Sequence, residues 1–302
     1  MRIAITGGTG MIGTALAAEL RLRGDEVILV TRKRPTADQI GWDPQRGVTA
    51  HRRLERLDAW VNLIGAPLAA RPWTPMRREV LTSSRVAATE NLLRSLSRLA
   101  EPPSTFVGVS SLGVFGDHGQ GWIDDDGRPG SGFLAELSAA WETSHLVSAD
   151  VLGSRAAVLR LGVVISSTGG VFPPLLRAFR YGLGGWLGDG RQYTAWISLR
   201  DTVRAFLHII DHPEAKGAYN ASVPEPPTNR SWCEAIGRVA GKPARTHAPK
   251  WALRGAFGEL ADELLLASCR ARPRRLLEQG FRFDDTDCEA TFKLLAEELG
   301  PV

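Results

Sequence analysis

A glycine-rich turn near the start of the chain constrains the fold more than any other feature. The stretch TGGTGMIG spaces Gly7, Gly10 and Gly13 three residues apart, directly after a short apolar run and before a segment with apolar residues at helical spacing. A second apolar run follows Gly24 and Asp25, which are typical helix-stop and turn residues. The order strand, glycine turn, helix, strand predicts a parallel crossover unit.

Later apolar runs extend this unit into a sheet. They are continuous rather than alternating, which is typical of parallel strands buried on both faces. The predicted strands are 59–64, 105–110, 156–165 and 217–222, and the predicted helices are 76–99, 133–149 and 199–210. Alternation of strands with helices predicts an α/β fold, a Rossmann-type doubly wound parallel sheet with a smaller, mostly C-terminal substrate-binding domain.

A change of composition places the domain boundary. After residue 165 the sequence is rich in glycine, proline and aromatic residues, which suits a substrate loop or a cap. We therefore expect a Rossmann domain at 1–165, to which 196–222 returns. The substrate-binding region is expected at 166–195 and 223–302.

The glycine turn also predicts a ligand. In a strand-turn-helix context the first glycine allows a tight turn, the second admits a diphosphate, and the third lets the helix pack on the strand. The second predicted strand ends in VTRKR, where an NAD site would usually carry an acidic residue. Arg32, with Lys33 and Arg34 beside it, favours the 2′-phosphate of NADP(H), although such charge runs are more often solvated loops.

Composition excludes several classes of protein. The 37 basic and 33 acidic residues are interspersed, so the net charge of +4 argues only weakly for nucleic acid, as do Arg270, Arg272, Arg274 and Arg275. Three cysteines without a CxxC pair predict neither a disulfide framework nor a metal site. With no signal peptide and no membrane-spanning run, we expect a cytoplasmic monomer or homodimer that binds a small molecule.

Several motifs together resemble a known family. VNLIGAP at 61–67, VSSLGVFGD at 109–117, LRLGVVIS at 159–166 and WISLRD at 196–201 are similar to the extended and atypical short-chain dehydrogenase/reductases. GWDP at 41–44, GLGGWLGDGRQYTAWI at 182–197 and RARPRRLLEQGFRF at 270–283 resemble the sugar-nucleotide-epimerase-like subgroup called epimerase family proteins. The resemblance covers essentially the whole chain.

The resemblance implies NADP(H) binding and hydride transfer to or from a carbonyl or carbinol carbon. It implies a serine at the end of the fifth strand, which falls on Ser111 with Ser110 beside it. The family's tyrosine acid and its lysine partner are absent: anchoring GFLAELSAAWE on Glu142 puts Leu134 and Ser138 at those positions. The predicted cofactor-binding residues are Gly7, Gly10, Met11, Ile12, Gly13, Arg32, Leu63, Gly65 and Gly162.

Another group must therefore deliver the proton. His118 follows the Phe115-Gly116 turn and imidazole titrates near neutral pH, although a surface position is the commoner one for a loop histidine. Tyr193 is the one phenol in the predicted substrate segment, and water is a third source. Ser110, Ser111, His118 and Tyr193 are the predicted catalytic residues.

The remaining polar residues carry weaker expectations. We expect Asp117 either to cap or stabilise its turn or to act chemically, and Glu142 to have a surface or capping role. Arg71 and Arg191 are candidates for binding an anionic substrate.

The sequence thus favours an NADP(H)-dependent oxidoreductase. Carbonyl reduction needs the least machinery, and epimerase-like redox chemistry on a small polar or nucleotide-linked substrate ranks second. A non-catalytic NADP(H)-binding sensor or partner-binding protein is the alternative, because the tyrosine and lysine are missing.

Overall fold

A computed structural model describes residues 1–32, 35–36, 39–48 and 52–300. The strands in these ranges are β1 Arg2–Thr6, β2 Glu26–Thr31, β3 Gln39–Asp43, β4 Gly47–Val48, β5 Ala59–Asn62, β6 Thr105–Ser111, β7 Trp122–Ile123, β8 Arg155–Leu161, β9 Val163–Ile165, β10 Gly185–Leu187, β11 Trp196–Ser198, β12 Gly217–Ala221, β13 Thr246–Ala248 and β14 Arg270–Ala271. The α-helices are α1 Met11–Leu22, α2 Pro75–Thr82, α3 Ala88–Leu96, α4 Phe133–Leu146, α5 Ser148–Leu152, α6 Phe172–Arg180, α7 Leu199–Asp211, α8 Asn229–Val239, α9 Lys250–Phe257, α10 Arg274–Glu278 and α11 Cys288–Leu299.

Eight strands form one large sheet, in the order β12-β8-β6-β5-β1-β2-β3-β4. β1 pairs in parallel with β2 on one side and with β5 on the other, and the pairs β2–β3 and β5–β6 are also parallel. The short edge pair β3–β4 is antiparallel. The strand order reverses between β1 and β5, which is the topological switch point of a doubly wound sheet. The predicted Rossmann-like fold is confirmed.

The chain divides into two compact units. The first comprises Met1–Ser110, Ala139–Leu159 and Val203–Tyr219, and the second comprises Ser111–Ser138, Arg160–Thr202 and Asn220–Val302. The first unit has a largely aliphatic core with three large rings, Trp42, Trp60 and Phe106, of which Trp60 and Phe106 are fully buried. In the second unit the ring of Phe292 packs against Phe172, Trp196 and Trp232 at centroid distances of 5.4, 5.9 and 5.4 Å.

Three details differ from the sequence expectation. The pair β3–β4 was not expected, because Gly41 and Asp43 interrupt its apolar pattern. The helix expected over 76–99 is broken by a π-helical turn at Ser83–Ala87. The strand expected over 156–165 is broken at Gly162, where a Cβ atom would lie 2.7 Å from the Ala195 carbonyl oxygen. That close backbone approach accounts for a glycine at this position.

A buried amide joins four segments of the first unit. Asn62 Oδ1 accepts a hydrogen bond from Thr6 Oγ1 at 2.8 Å and a longer one from the Ile64 backbone N–H at 3.4 Å. Asn62 Nδ2 donates to Thr89 Oγ1 on α3 at 3.0 Å and lies 3.0 Å from Nε2 of His145 on α4. All four hydrogen-bonding positions of the amide are therefore used.

The tautomer of His145 follows from its two neighbours. Its Nδ1 lies 2.9 Å from the Trp141 carbonyl oxygen, so Nδ1 carries the proton and Nε2 accepts from Asn62. Complete burial lowers the pKa of His145 to about 3. The imidazole packs so closely on β6 that a Cβ atom at Gly108 would lie 2.3 Å from it. His145 is a neutral structural group.

No helix in the described part of the chain is long and apolar enough to cross a membrane.

Acid should weaken the fold through His145. Below its ordinary pKa of 6.5 the unfolded chain takes up a proton that the folded chain refuses until about pH 3. The free energy of unfolding should therefore fall by about 2 kcal/mol between pH 7 and pH 5 from this group alone. Urea unfolding at both pH values measures the loss. His145→Gln supplies the reference, and equal pH dependence in variant and wild type would contradict the assignment.

Candidate functional site

The glycine turn after β1 has a different steric reason for each glycine. Gly7 has a φ of +76°, and a Cβ atom there would lie 2.7 Å from the Leu63 carbonyl oxygen. A Cβ atom at Gly13 would lie 2.4 Å from the Gly7 carbonyl oxygen, so α1 packs directly on the turn. A Cβ atom at Gly10 would meet only the Gly7 oxygen, at 3.3 Å. The space above Gly10 is therefore open to a ligand.

The start of α1 offers hydrogen-bond donors to this space. Gly10 is the N-cap residue and has no side chain, and the first turn, with Met11 and Ile12, contains no acidic residue. The first backbone N–H groups of a helix have no partner within the helix, and the helix dipole favours an anion there. An open glycine in front of free donors fits the diphosphate of a dinucleotide.

A second loop borders the turn from β5. The Leu63 backbone N–H donates to the Thr6 carbonyl oxygen at 3.0 Å, which holds the start of loop 63–67 beside the glycine turn. Gly65 lies in this loop. Both loops follow the carboxyl ends of β1 and β5, at the switch point where ligands of such sheets bind. The sequence-predicted residues Gly7, Gly10, Met11, Ile12, Gly13, Leu63 and Gly65 are brought together there.

Arg32 lies directly after β2 and is exposed. This is the sheet position at which a dinucleotide's adenosine ribose is recognised. Lys33 and Arg34, which belong to the same predicted patch, lie outside the described residues. Gly162 lies at the break between β8 and β9, in the second unit.

The second unit contains a cavity of about 490 Å³. Its walls come from the segments 113–118, 128–134 and 250–266. Its charged lining residues are Arg128, Lys250 and Arg254 against Asp117, Asp262 and Glu263, with His118 in addition. Arg254 Nε bonds both carboxylate oxygens of Asp262, at 2.9 and 3.2 Å. The formal charges cancel, so the cavity suits a polar ligand and has no excess of positive charge.

Ser111 lies close to the cavity wall. Its Oγ accepts the Gly113 backbone N–H at 3.0 Å, which leaves the hydroxyl proton free to be donated. Gly113 separates Ser111 from Leu134: a Cβ atom at Gly113 would lie 2.6 Å from Leu134 Cδ2 and 3.2 Å from Ser111 Oγ. Ser110 is 2 % exposed, and neighbouring residues of a strand face opposite sides.

Leu134 lines the cavity at the place where the family's tyrosine is expected. It is 3 % exposed and apolar, so α4 presents no acid there. Glu263 Oε2 and Oε1 accept the backbone N–H groups of Leu134 and Phe133 at 2.6 and 3.0 Å and cap the start of α4. Glu263 was not predicted from the sequence. The only local signal is that Gly132 has no side chain that could accept a hydrogen bond from the start of the helix.

His118 and Tyr193 occupy different surroundings. His118 is exposed and lines the cavity, and its backbone N–H donates to the Ser268 carbonyl oxygen at 2.8 Å. The Asp117 carboxylate accepts the Ser268 and Gly119 backbone N–H groups, which stabilises the turn as expected. Tyr193 is not among the lining residues of this cavity. Its ring stacks on the Arg270 guanidinium at 4.5 Å.

The other polar candidates are distributed as follows. Arg71 and Arg191 are exposed. Glu142 is only 9 % exposed, so the expected surface position is wrong.

Two further kinds of site were considered for the described residues, a metal-binding cluster and a reactive thiol. The described residues contain no cluster of three histidine, cysteine or acidic side chains that could hold a metal ion. Burial raises the pKa of Cys233, Cys269 and Cys288 to about 12 in each case, so these thiols stay protonated at neutral pH.

Comparison with known proteins gives the family. A sequence profile described as the NAD dependent epimerase/dehydratase family matches residues 3–222. This chain belongs to that family. The resemblance to extended short-chain dehydrogenase/reductases is therefore confirmed. A second profile, a domain of unknown function (DUF1731), matches residues 248–295, which include Glu263 and one wall of the cavity.

Relatives of this epimerase family match nearly the full length of this chain. An epimerase family protein of Mycobacterium leprae is 38% identical over 282 residues, covering 93% of this chain and 91% of the relative. The crystal structure of human epimerase family protein SDR39U1 (isoform 2) with NADPH has a TM-score of 0.89 at 30% identity, covering 98% of this chain and 99% of the human one. A nucleoside-diphosphate sugar epimerase from Corynebacterium glutamicum has a TM-score of 0.81 at 30% identity, covering 99% of this chain and 58% of that one.

Two glycine variants should distinguish the glycine that is needed for packing from the glycine that borders the space for a ligand. Gly13→Ala should lower the free energy of unfolding by about 2 kcal/mol, because its methyl group meets backbone atoms that cannot move aside. Gly10→Ala, with space around its Cβ, should lower it by less than about 1 kcal/mol. Denaturant unfolding of both variants without ligand measures the contrast. Equal losses would contradict the steric assignment.

Proposed function

We propose that this chain is an NADP(H)-dependent oxidoreductase of the atypical short-chain dehydrogenase/reductase type. The observation that carries the proposal is the open space at Gly10, in front of the α1 donors and at the switch point of the sheet. A human relative whose structure contains NADPH supports it. Residues 1–165 with 196–222 would hold the dinucleotide, and 166–195 with 223–302 would form the substrate-binding region.

The reaction we favour is carbonyl reduction of a small polar or nucleotide-linked substrate, with epimerase-like redox chemistry second. NADPH supplies a hydride when it is bound. The protein must then orient the substrate oxygen and supply one proton to it. Ser111 fits the first task because its Oγ already accepts a backbone N–H and its own proton is free to bond the substrate oxygen.

At the family's acid position α4 carries Leu134, whose side chain has no proton to donate, so the proposed proton source lies elsewhere. Among the predicted donors, His118 is supported by its place in the cavity wall. An imidazolium would give its proton to the new alkoxide and regain one from water, which balances the reduction. Tyr193, whose ring packs on Arg270, is the less favoured donor.

A second candidate function is a non-catalytic NADP(H)-binding sensor or partner-binding protein. The observation that favours it is the apolar, buried Leu134 where the family has its tyrosine. A purified protein that binds NADPH and oxidises it with no member of a broad carbonyl panel would favour the sensor.

Arg32 should set the cofactor preference. Arg32→Glu should weaken NADPH binding relative to NADH at least tenfold, because a charge-assisted bond to the 2′-phosphate is replaced by repulsion. Fluorescence titration with both dinucleotides measures the ratio. Arg94→Glu, an exposed α3 residue of the same unit, is the matched control and should leave the ratio unchanged. A parallel shift in both variants would point to net charge alone.

Substitutions at Ser111 and His118 should test the proposed roles in substrate orientation and in proton transfer. Ser111→Ala should lower kcat about 100-fold on the best substrate of the panel, because one donor to the developing oxyanion is lost. His118→Gln should lower kcat by a similar amount or more, and Tyr193→Phe by less. Stopped-flow NADPH oxidation measures all three. Ser97→Ala, on the exposed end of α3, is the control, and a larger loss in Tyr193→Phe would transfer the role to Tyr193.

A further inference from the structure

The short strand pair β7–β14 of the second unit has an apolar face and a cationic face. Ala271 on β14 pairs with Ile123 on β7, and both side chains are buried. Arg270 pairs with Trp122 in the same register. Because side chains alternate along a strand, Trp122 and Arg270 lie on the opposite face, and Arg272 follows on that face. The pair therefore presents two arginines and a tryptophan side by side.

The Arg270 guanidinium contacts two aromatic rings. Its Cζ lies 3.9 Å from the centre of the Trp122 ring and 4.5 Å from the centre of the Tyr193 ring. Arg272 Cζ lies 4.5 Å from the centre of the Trp122 ring. A guanidinium stacks on an aromatic face through its flat side, which leaves the N–H groups at its edge available for hydrogen bonds. The rings thus hold Arg270 without using its donors.

Backbone hydrogen bonds fix the segments that carry these side chains. The Tyr193 backbone N–H donates to Ser268 Oγ at 3.0 Å, and the Cys269 backbone N–H donates to the Tyr193 carbonyl oxygen at 3.2 Å. The Arg272 backbone N–H donates to the Ile123 carbonyl oxygen at 2.8 Å. The rings and the two cations are therefore in position before any ligand binds.

In the part of the chain that the structure describes, the Arg270 side chain makes neither a hydrogen bond nor an ion pair. Its Nε is buried without a hydrogen-bond partner. Arg272 is paired with Glu225, but the two groups are 3.6 Å apart and the Glu225 side chain is 72 % exposed. Such an exposed pair contributes little binding energy. Because a donor removed from water ordinarily has a partner, the unbonded guanidinium indicates an acceptor from a ligand.

The next two arginines of this segment differ in this respect. Arg274 and Arg275 are both ion-paired with Asp126. Arg274 has a further ion pair with Glu278 at 3.0 Å. Their charges are balanced within the protein, whereas the charge of Arg270 is not. The unbalanced positive charge of the segment therefore lies beside the two rings.

We propose that Arg270 and Arg272, held by Trp122 and Tyr193, bind the phosphate group of a small phosphate monoester. A doubly charged phosphate matches two adjacent cations, and a guanidinium can bond it with two N–H groups at once. The site is open to solvent, because Trp122 is 38 % exposed. These four residues do not line the 490 Å³ cavity, so the proposal does not rest on the proposed function.

The experiment compares a phosphate ester with a carboxylate on the full chain. The probes are glycerol 2-phosphate and acetate, and calorimetry at constant ionic strength measures their binding. Arg270→Gln and Arg272→Gln each remove one charge, and Arg270→Lys keeps the charge but loses the planar fork. Arg177→Gln is the matched control, because it removes an exposed charge from α6 of the same unit.

We expect the wild type to bind glycerol 2-phosphate at least tenfold more tightly than acetate. Arg270→Gln should weaken binding of the phosphate ester at least tenfold, because two charge-assisted hydrogen bonds are lost. Arg270→Lys should fall between the two, since an ammonium cannot bond a phosphate in the same two-pronged way. Arg272→Gln should weaken binding about threefold or more, and Arg177→Gln should change it by less than about twofold.

Two results would overturn the proposal directly. One is equal binding of glycerol 2-phosphate by the wild type and a folded Arg270→Gln, and the other is acetate bound as tightly as the phosphate ester. If Arg270→Gln does not fold, Arg272→Gln decides, because its side chain is 48 % exposed. Unchanged binding in that variant would also overturn the site. A wild type that binds NADPH but no phosphate ester would remove this site and leave the proposed function intact.

Discussion

The hydrogen bonds of the Asn62 amide are the interaction on which the first unit depends. The amide is buried at the carboxyl end of β5, and its four bonds reach β1, the loop after β5, α3 and α4. Such a network tolerates only one register of β5 against β1, because a slip would leave several buried polar groups without partners. Loop 63–67 is therefore held at a fixed position beside the glycine turn. Asn62 thus helps to shape the space above Gly10, although its side chain does not reach that space.

The two units differ in how their charges are balanced. In the cavity of the second unit the formal charges cancel, and the acidic groups are bonded to backbone N–H groups or to Arg254. In the first unit, the buried Arg85 bonds to neutral carbonyl oxygens and has no counter-charge among the described residues.

Much of the fold could be predicted from local sequence, and the reasons are physical. Gly7 has a positive φ, and Gly13 is required by contacts with the backbone of Gly7 and Gly8, so the reasons for these two glycines lie within a few residues and their spacing indicates the turn. Continuous apolar strands such as β5 and β6 are also visible locally. The edge strands β3 and β4 were missed because Gly41 and Asp43 weaken the apolar pattern that would reveal them.

The parts of the site that could not be predicted depend on partners distant in sequence. In the sequence, Arg85 resembles an ordinary surface cation of a helix. In the structure it is buried and lies in a π-helical turn that no local sequence pattern predicts. Glu142 was misplaced for a similar reason, since helical spacing does not reveal which face other segments cover. The roles of Ser111 and His118 stay predictions, because spacing can bring side chains to one cavity without defining the reaction there.

The cap on α4 has a consequence for the order in which the chain can fold. The first N–H groups of that helix are bonded by a carboxylate 130 residues later in the chain. At synthesis rates of roughly 5 to 20 residues per second, Glu263 is made on the order of ten seconds after Phe133. During that interval the nascent helix begins with uncapped donors. The start of α4 is therefore completed only when the C-terminal region has left the ribosome.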